Sequence, residues 1–175
     1  MDVQKFKEML LGKKTRLYCV LDGAAVPDLL MKLYETQAPN FCLLRGKLPP
    51  DVLHAAPYVI RLSADNEITD WILEGSVGNN WGIFAQSRSS MKEMRRHFRA
   101  LLTVHDEDGK PLIFRFYDPR VLRPFLPTCE SDELGAFFGK VDSYFVWSDD
   151  SESIVSYQVE DGELKESVIN LSDKK

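Results

Sequence analysis

The densest chemistry in this chain lies in Phe114-Arg115-Phe116-Tyr117-Asp118-Pro119-Arg120, where two guanidinium groups flank a phenol and a carboxylate. An arginine presents a planar fork of N–H donors that matches carboxylate or phosphate oxygens two at a time. Set around Asp118, such forks can hold a phosphate or serve an acid–base step. The same groups can instead pair with one another and pin a chain reversal, with Asp118 capping backbone donors. A concentration of arginines needs acids beside it, and Asp118, Asp22 and Glu130 are the candidates. Internal pairing is the reading we favour.

Other catalytic signatures are missing. The sequence has no glycine-rich phosphate loop, dinucleotide fingerprint or His-Glu-x-x-His. Gly75-Ser76-Val77-Gly78 lacks the spacing of a nucleophile elbow. His54, His97 and His105 share no motif and read as ordinary surface or core histidines. Cys19, Cys42 and Cys129 show no paired-ligand spacing, so neither a structural zinc nor any other metal or cofactor is expected. A reducing compartment suits them.

A second candidate is the basic set Lys92, Arg95, Arg96 and Arg99. Phosphate backbones attract such a face, but the chain as a whole has a net charge of −5 and an isoelectric point near 5.3. It also lacks interleaved stacking aromatics there, so no nucleic-acid partner is expected. A solvated helix face is the plain reading of these cations, and a docking surface for an acidic protein is the next. Reversing Arg95, Arg96 and Arg99 should then weaken partner binding without moving the thermal melt.

The elements that must position these groups follow from periodicity. Residues 3–11, 29–34, 67–74, 90–102 and 133–138 carry apolar side chains at helical spacing, and a further helix starts at Asp118-Pro119. Ser90-x-x-Glu93 is a capping-box pattern, followed by the stripe Met91, Met94, Phe98 and Leu101. Strands are expected at 16–21, 41–44, 58–62, 81–85, 144–147 and 154–159, with 45–50 a loop. Residues 103–105 and 111–117 read as a hairpin around Asp108-Gly109, its second arm placing Phe114 and Phe116 opposite Arg115 and Tyr117. This alternation predicts an α/β domain (α+β as the variant), a mixed β-sheet flanked by helices with a small C-terminal extension.

Composition fits that picture. With 175 residues and 44% hydrophobic content, the chain suits one soluble domain with its own core. Neither a signal-type apolar run nor a membrane span occurs in the sequence, and the cytoplasm is the expected location. The acidic surplus sits in residues 149–175, where Asp149, Asp150, Glu152, Glu160, Asp161, Glu163, Glu166 and Asp173 outnumber Lys165, Lys174 and Lys175. The expected division is therefore residues 1–148, an α/β domain, and 149–175, an acidic extension, partly strand and partly mobile beyond Glu160. That tail solubilises the chain, or covers a basic groove until a partner arrives.

Leu21-Asp22-Gly23-Ala24, Ala56-Pro57-Tyr58, Trp81-Gly82-Ile83, the basic helix, Asp108-Gly109 and Phe114-Arg115-Phe116-Tyr117-Asp118-Pro119-Arg120-Val121-Leu122 follow in a fixed order. This set resembles the bacterial type VI secretion adaptor–chaperones. The resemblance implies a non-enzymatic protein with two partners, a cognate secreted effector and the VgrG spike, onto which it loads the effector. It also implies that Asp22, Gly23, Ala24, Pro57, Arg115, Tyr117, Asp118, Pro119 and Arg120 shape the fold or a binding groove. The expected meeting surface lies near the 90–102 helix and the 114–122 corner. Two other readings stand beside it: a small enzyme or ligand-binding domain using Arg115, Tyr117, Asp118 and Arg120, and a toxin-neutralising immunity protein.

Overall fold

The computed structural model describes residues 3–12 and 14–171. The strands are β1 (Arg16–Asp22), β2 (Asn40–Cys42), β3 (Pro57–Leu62), β4 (Gly82–Ser87), β5 (Thr103–His105), β6 (Pro111–Ile113), β7 (Val141–Trp147), β8 (Ser153–Glu160) and β9 (Glu163–Asn170). The helices are α1 (Val3–Leu11), α2 (Leu29–Thr36), α3 (Pro50–Ala55), α4 (Glu67–Gly75), α5 (Met91–Leu101), α6 (Pro119–Phe125) and α7 (Ser131–Phe138). Seven strands form one sheet in the order β2-β3-β1-β4-β7-β8-β9, and β5 and β6 form a separate hairpin.

Helices cover both faces of the sheet. On one face Phe6 and Leu10 of α1, Leu29 and Leu33 of α2, and Ile68 and Ile72 of α4 pack over Leu17, Cys19, Leu21, Ile60 and Phe84. On the other, Met94 and Phe98 of α5, Leu122 of α6, and Leu134 and Phe137 of α7 pack over Tyr18, Val20, Ile83, Ala85 and Tyr144. Two covered faces explain why β1 and β4 read as unbroken apolar runs. No helix among the described residues is long and apolar enough to cross a membrane.

The helix-and-sheet class matches the expected α/β architecture. Strand direction differs from the expected mixed sheet, because every pairing is antiparallel. Unbroken apolar runs report that both faces are buried; they carry no information on direction. Two local features also depart from or go beyond the sequence reading. Residues 50–55 form α3, started by Pro50 at the first helical position, where a missing N–H costs nothing. Tyr34, expected on the apolar face of α2, lies at the surface.

The polar stretch beyond Glu160, expected to be partly mobile, pairs along its length with β8 through residue 170. Asp161 and Gly162 both take positive φ, the two-residue turn that matches the twist of a hairpin. Ile154 and Leu171 belong to the same apolar core as Phe6 and Trp147, so packing crosses the boundary expected at residue 148. Residues 172–175, including Asp173, Lys174 and Lys175, lie outside the described residues.

Candidate functional site

The Arg115–Arg120 segment does not continue the hairpin strand. β6 ends at Ile113; the Phe114 N–H then bonds to the Leu102 carbonyl (2.9 Å), and the Asp118 N–H closes a turn onto the Arg115 carbonyl (3.0 Å). A strand would send Phe116 and Tyr117 to opposite faces. The turn instead lets both enter the core beneath α5 and α7, where Phe116 stacks on Phe98. Burial of two adjacent aromatic rings overrides the alternation expected of residues 111–117.

The turn brings two motif cations, Arg115 and Arg120, to one carboxylate, Asp118. Asp118 caps α6 by accepting the Arg120 backbone N–H (3.0 Å), and Arg120 grips the same carboxylate with Nε (3.0 Å) and Nη2 (2.8 Å). Arg115 donates to Asp22 at 2.5 Å and lies 3.6 Å from Asp118, bridging the end of β1 to the start of α6. The other Asp22 oxygen accepts the Ala24 N–H (3.0 Å), turning the chain after β1. Both carboxylates are buried, whereas both guanidinium groups reach solvent.

Electrostatics biases the protonation of Asp118, Tyr117 and Arg115. Burial disfavours the Asp118 carboxylate, but the hydrogen bonds from Arg120 and the charges of Arg120 and Arg115 outweigh it and hold its pKa below the ordinary 3.8. Burial, aided by the Asp22 charge, raises the Tyr117 phenol above its ordinary value. Burial also opposes the Arg115 charge, yet Asp22 more than offsets it and the pKa rises. A group that shuttles protons near neutrality needs the opposite tuning. The bonds of Arg115 clamp the end of β1 to the start of α6.

The clamp makes a testable prediction. Asp118 has a folded pKa below its unfolded one, so its contribution is complete above pH 3.8 and is lost as pH falls through the folded value. Asp118→Asn keeps a capping oxygen but loses the charge and the second oxygen, which accepts from Arg120 Nη2; Asp118→Ala loses the cap as well, at a further cost of about 1 kcal/mol. In urea titrations we expect Asn to be the milder variant at pH 7 and its gap to wild type to close in acid. A gap independent of pH would remove the charge from the account.

Arg115 of the clamp also lines an open groove. Leu44, Leu102, Pro57, Arg115 and Tyr117 line its base, Val52 and Ala55 of α3 one wall, and Ile113 of β6 the other, around a cavity of about 510 Å³. No residue of α3 is buried, and Ile113 is 72% exposed. Close backbone contacts hold the α3 wall. The Gly23 N–H bonds to the Ala56 carbonyl (3.0 Å), and Tyr58 Oη donates to the Leu53 carbonyl (3.0 Å). Sequence pieces far apart thus meet here: the Asp22 N–H bonds to the Trp81 carbonyl, and Asp22 pairs with Pro57.

The cations of α5 lie beside this groove in different roles. Arg99 donates to the carbonyls of Cys42 (2.8 Å), Leu43 (3.1 Å) and Leu44 (3.2 Å), pinning the segment after β2. Its reversal therefore removes three internal bonds, contrary to the expectation of an unchanged melt. Arg95 sits over the Phe41 ring, 4.3 Å from its centre, while Arg96 projects into solvent. The Ser90–Glu93 capping box forms as expected. β8 and β9, which carry most of the described part of the acidic tail, stand at one edge of the sheet, and β2, which carries Phe41, is the other edge.

Sequence reasoning located the charged corner, including Asp22 as a partner acid, but missed the groove. Pro49-Pro50-Asp51 signalled α3, since proline and an acid favour a helix start. Nothing local signalled that Leu112 and Ile113 stay uncovered. Among the described residues, no cluster of His, Cys, Asp and Glu is arranged to hold a metal ion.

Residues 17–136 match the family model described as a domain of unknown function (DUF4123). No curated protein and no solved structure matches the chain.

Proposed function

Because this chain belongs to the DUF4123 family, with more than half of its length inside the family match, we propose that it is a non-enzymatic adaptor–chaperone. In this reading it works in the cytoplasm, binds a secreted effector and loads it onto the VgrG spike of a bacterial type VI secretion system. The observation that carries the reading is the groove. Three motif residues, Pro57, Arg115 and Tyr117, help build its base, with the Arg115 charge paired to Asp22, and its walls expose the apolar side chains of Val52 and Ile113. Exposed apolar surface of that kind marks a docking site for another chain.

The enzyme reading needs Arg115, Tyr117, Asp118 and Arg120 to converge, unpaired, on an open pocket. The mutual bonds among Arg115, Asp22, Asp118 and Arg120 favour the adaptor reading instead. Affinity capture of the tagged chain from its native host, with the bound proteins identified by mass spectrometry, tests the proposal. An adaptor retrieves an effector and a spike protein together. Retrieval of a toxin alone supports the immunity reading, and retrieval of neither sinks the adaptor.

A further inference from the structure

We infer that the groove and the neighbouring cations form one composite site, and that its occupant is a protein segment carrying apolar side chains next to a run of carboxylates. This deepens the adaptor reading and rests on it.

Arg45, Lys92, Arg95, Arg96 and Arg99 surround a shallow pocket of about 190 Å³. No carboxylate pairs with any of the five among the described residues. The acid on α5, Glu93, is engaged by Lys140 and Ser90, which hold its pKa down to about 2. Two of the cations are held in place before any ligand arrives, Arg99 by three carbonyls and Arg95 by the Phe41 ring. Fixing a charged side chain in advance lowers the entropy lost on binding. Burial, and then the charges of Arg95 and Arg45, work against the Arg99 charge, so an arriving anion relieves real repulsion.

The pocket adjoins the groove. Leu44 lines the groove, the next residue, Arg45, lines the cationic pocket, and the Leu44 carbonyl accepts from Arg99. A bound segment crossing this loop passes from apolar walls onto five positive charges. The groove's own carboxylate, Asp51, lies on the α3 wall and does not line the cationic pocket.

Charge also selects the class of partner. A chain of net charge −5 repels a long polyanion such as duplex DNA, whereas a short acidic segment meets only the local field. The apolar groove adds area that a peptide can fill and a phosphate backbone cannot.

The probe is a fluorescein-labelled synthetic peptide with leucines at helical spacing followed by a run of glutamates, titrated with the full chain by anisotropy. We expect binding that weakens as salt rises. Replacing the glutamates by glutamine, or the leucines by serine, should each weaken it at least about tenfold. The variant Lys92→Glu/Arg96→Glu should do the same with an unchanged melt, since both side chains are exposed and make no bond among the described residues. Equal binding of the glutamine peptide, or no binding of the acidic one, overturns the inference. So does tighter binding of duplex DNA or phosphatidylserine vesicles that the same variant abolishes. Native capture separates the levels: if wild type and the double variant both retrieve effector and spike, the composite site alone falls. If wild type retrieves neither, the adaptor reading falls.

Discussion

Gly23→Ala is expected to be among the most damaging single-methyl changes in this chain, lowering stability by about 2–3 kcal/mol. A Cβ at this position meets the Ala56 carbonyl oxygen at 2.4 Å and the His54 carbonyl oxygen at 2.5 Å. Both are backbone atoms, and the Ala56 oxygen is already the acceptor for the Gly23 N–H. Relief requires the turn after β1 to separate from the end of α3. That motion pulls Asp22 away from Arg115 and opens the groove wall, so partner capture should weaken along with the melt.

A control comes from Gly135, in the exposed part of α7, where an added Cβ finds no atom within 4 Å. Gly135→Ala should raise stability by about 0.5–1 kcal/mol through helix propensity alone. Urea midpoints of the two variants should therefore move in opposite directions. A Gly23→Ala protein with the wild-type midpoint would mean that the turn and α3 are not held as described, and the clamp–groove coupling would go with it.

The contrast between these glycines shows where sequence reading stops. Features that depend on neighbours in the chain were legible. The Ser90–Glu93 box, the Asp118 cap with Pro119 behind it, and the Met94–Phe98 stripe all follow from spacing of a few residues. The Arg115–Asp22 pair joins residues about half the chain apart, yet two arginines around one carboxylate demanded another acid, and Asp22 stood beside Glu130 as a candidate. The pattern also spoke of burial on both faces of the sheet without fixing strand direction.

What escaped were facts about cover. Ile113 and Leu112 have the composition of buried strand residues, and only the tertiary arrangement leaves them bare. Phe116 and Tyr117 break strand alternation because a core under α5 and α7 has room for both rings. β9 was hidden by its charges: an edge strand keeps Glu163, Lys165 and Glu166 on its surface, which protects the open edge from stray pairing. Its local signal was Asp161-Gly162, the hairpin dipeptide.

Uncovered apolar residues beside a motif-built floor set the last expectation. Ile113→Asp and Val52→Asp each place a charge in the groove where an apolar anchor should dock. Each should weaken capture of a partner by about tenfold or more, the scale of a lost interface hot spot. Stability should stay within about 0.5 kcal/mol of wild type for Ile113→Asp, whose side chain is 72% exposed, and fall somewhat further for Val52→Asp, whose side chain is 37% exposed. Tyr34→Asp and Met31→Asp on α2 are matched controls. Those residues are as exposed as the groove walls but belong to the opposite face of the sheet, so binding should be untouched. If the α2 pair abolishes capture and the groove pair leaves it intact, the interface lies across α2, and the clamp beneath the groove serves the fold alone. The expected pattern is the reverse, since only the groove side joins apolar walls, unpaired cations and the motif residues in one continuous surface.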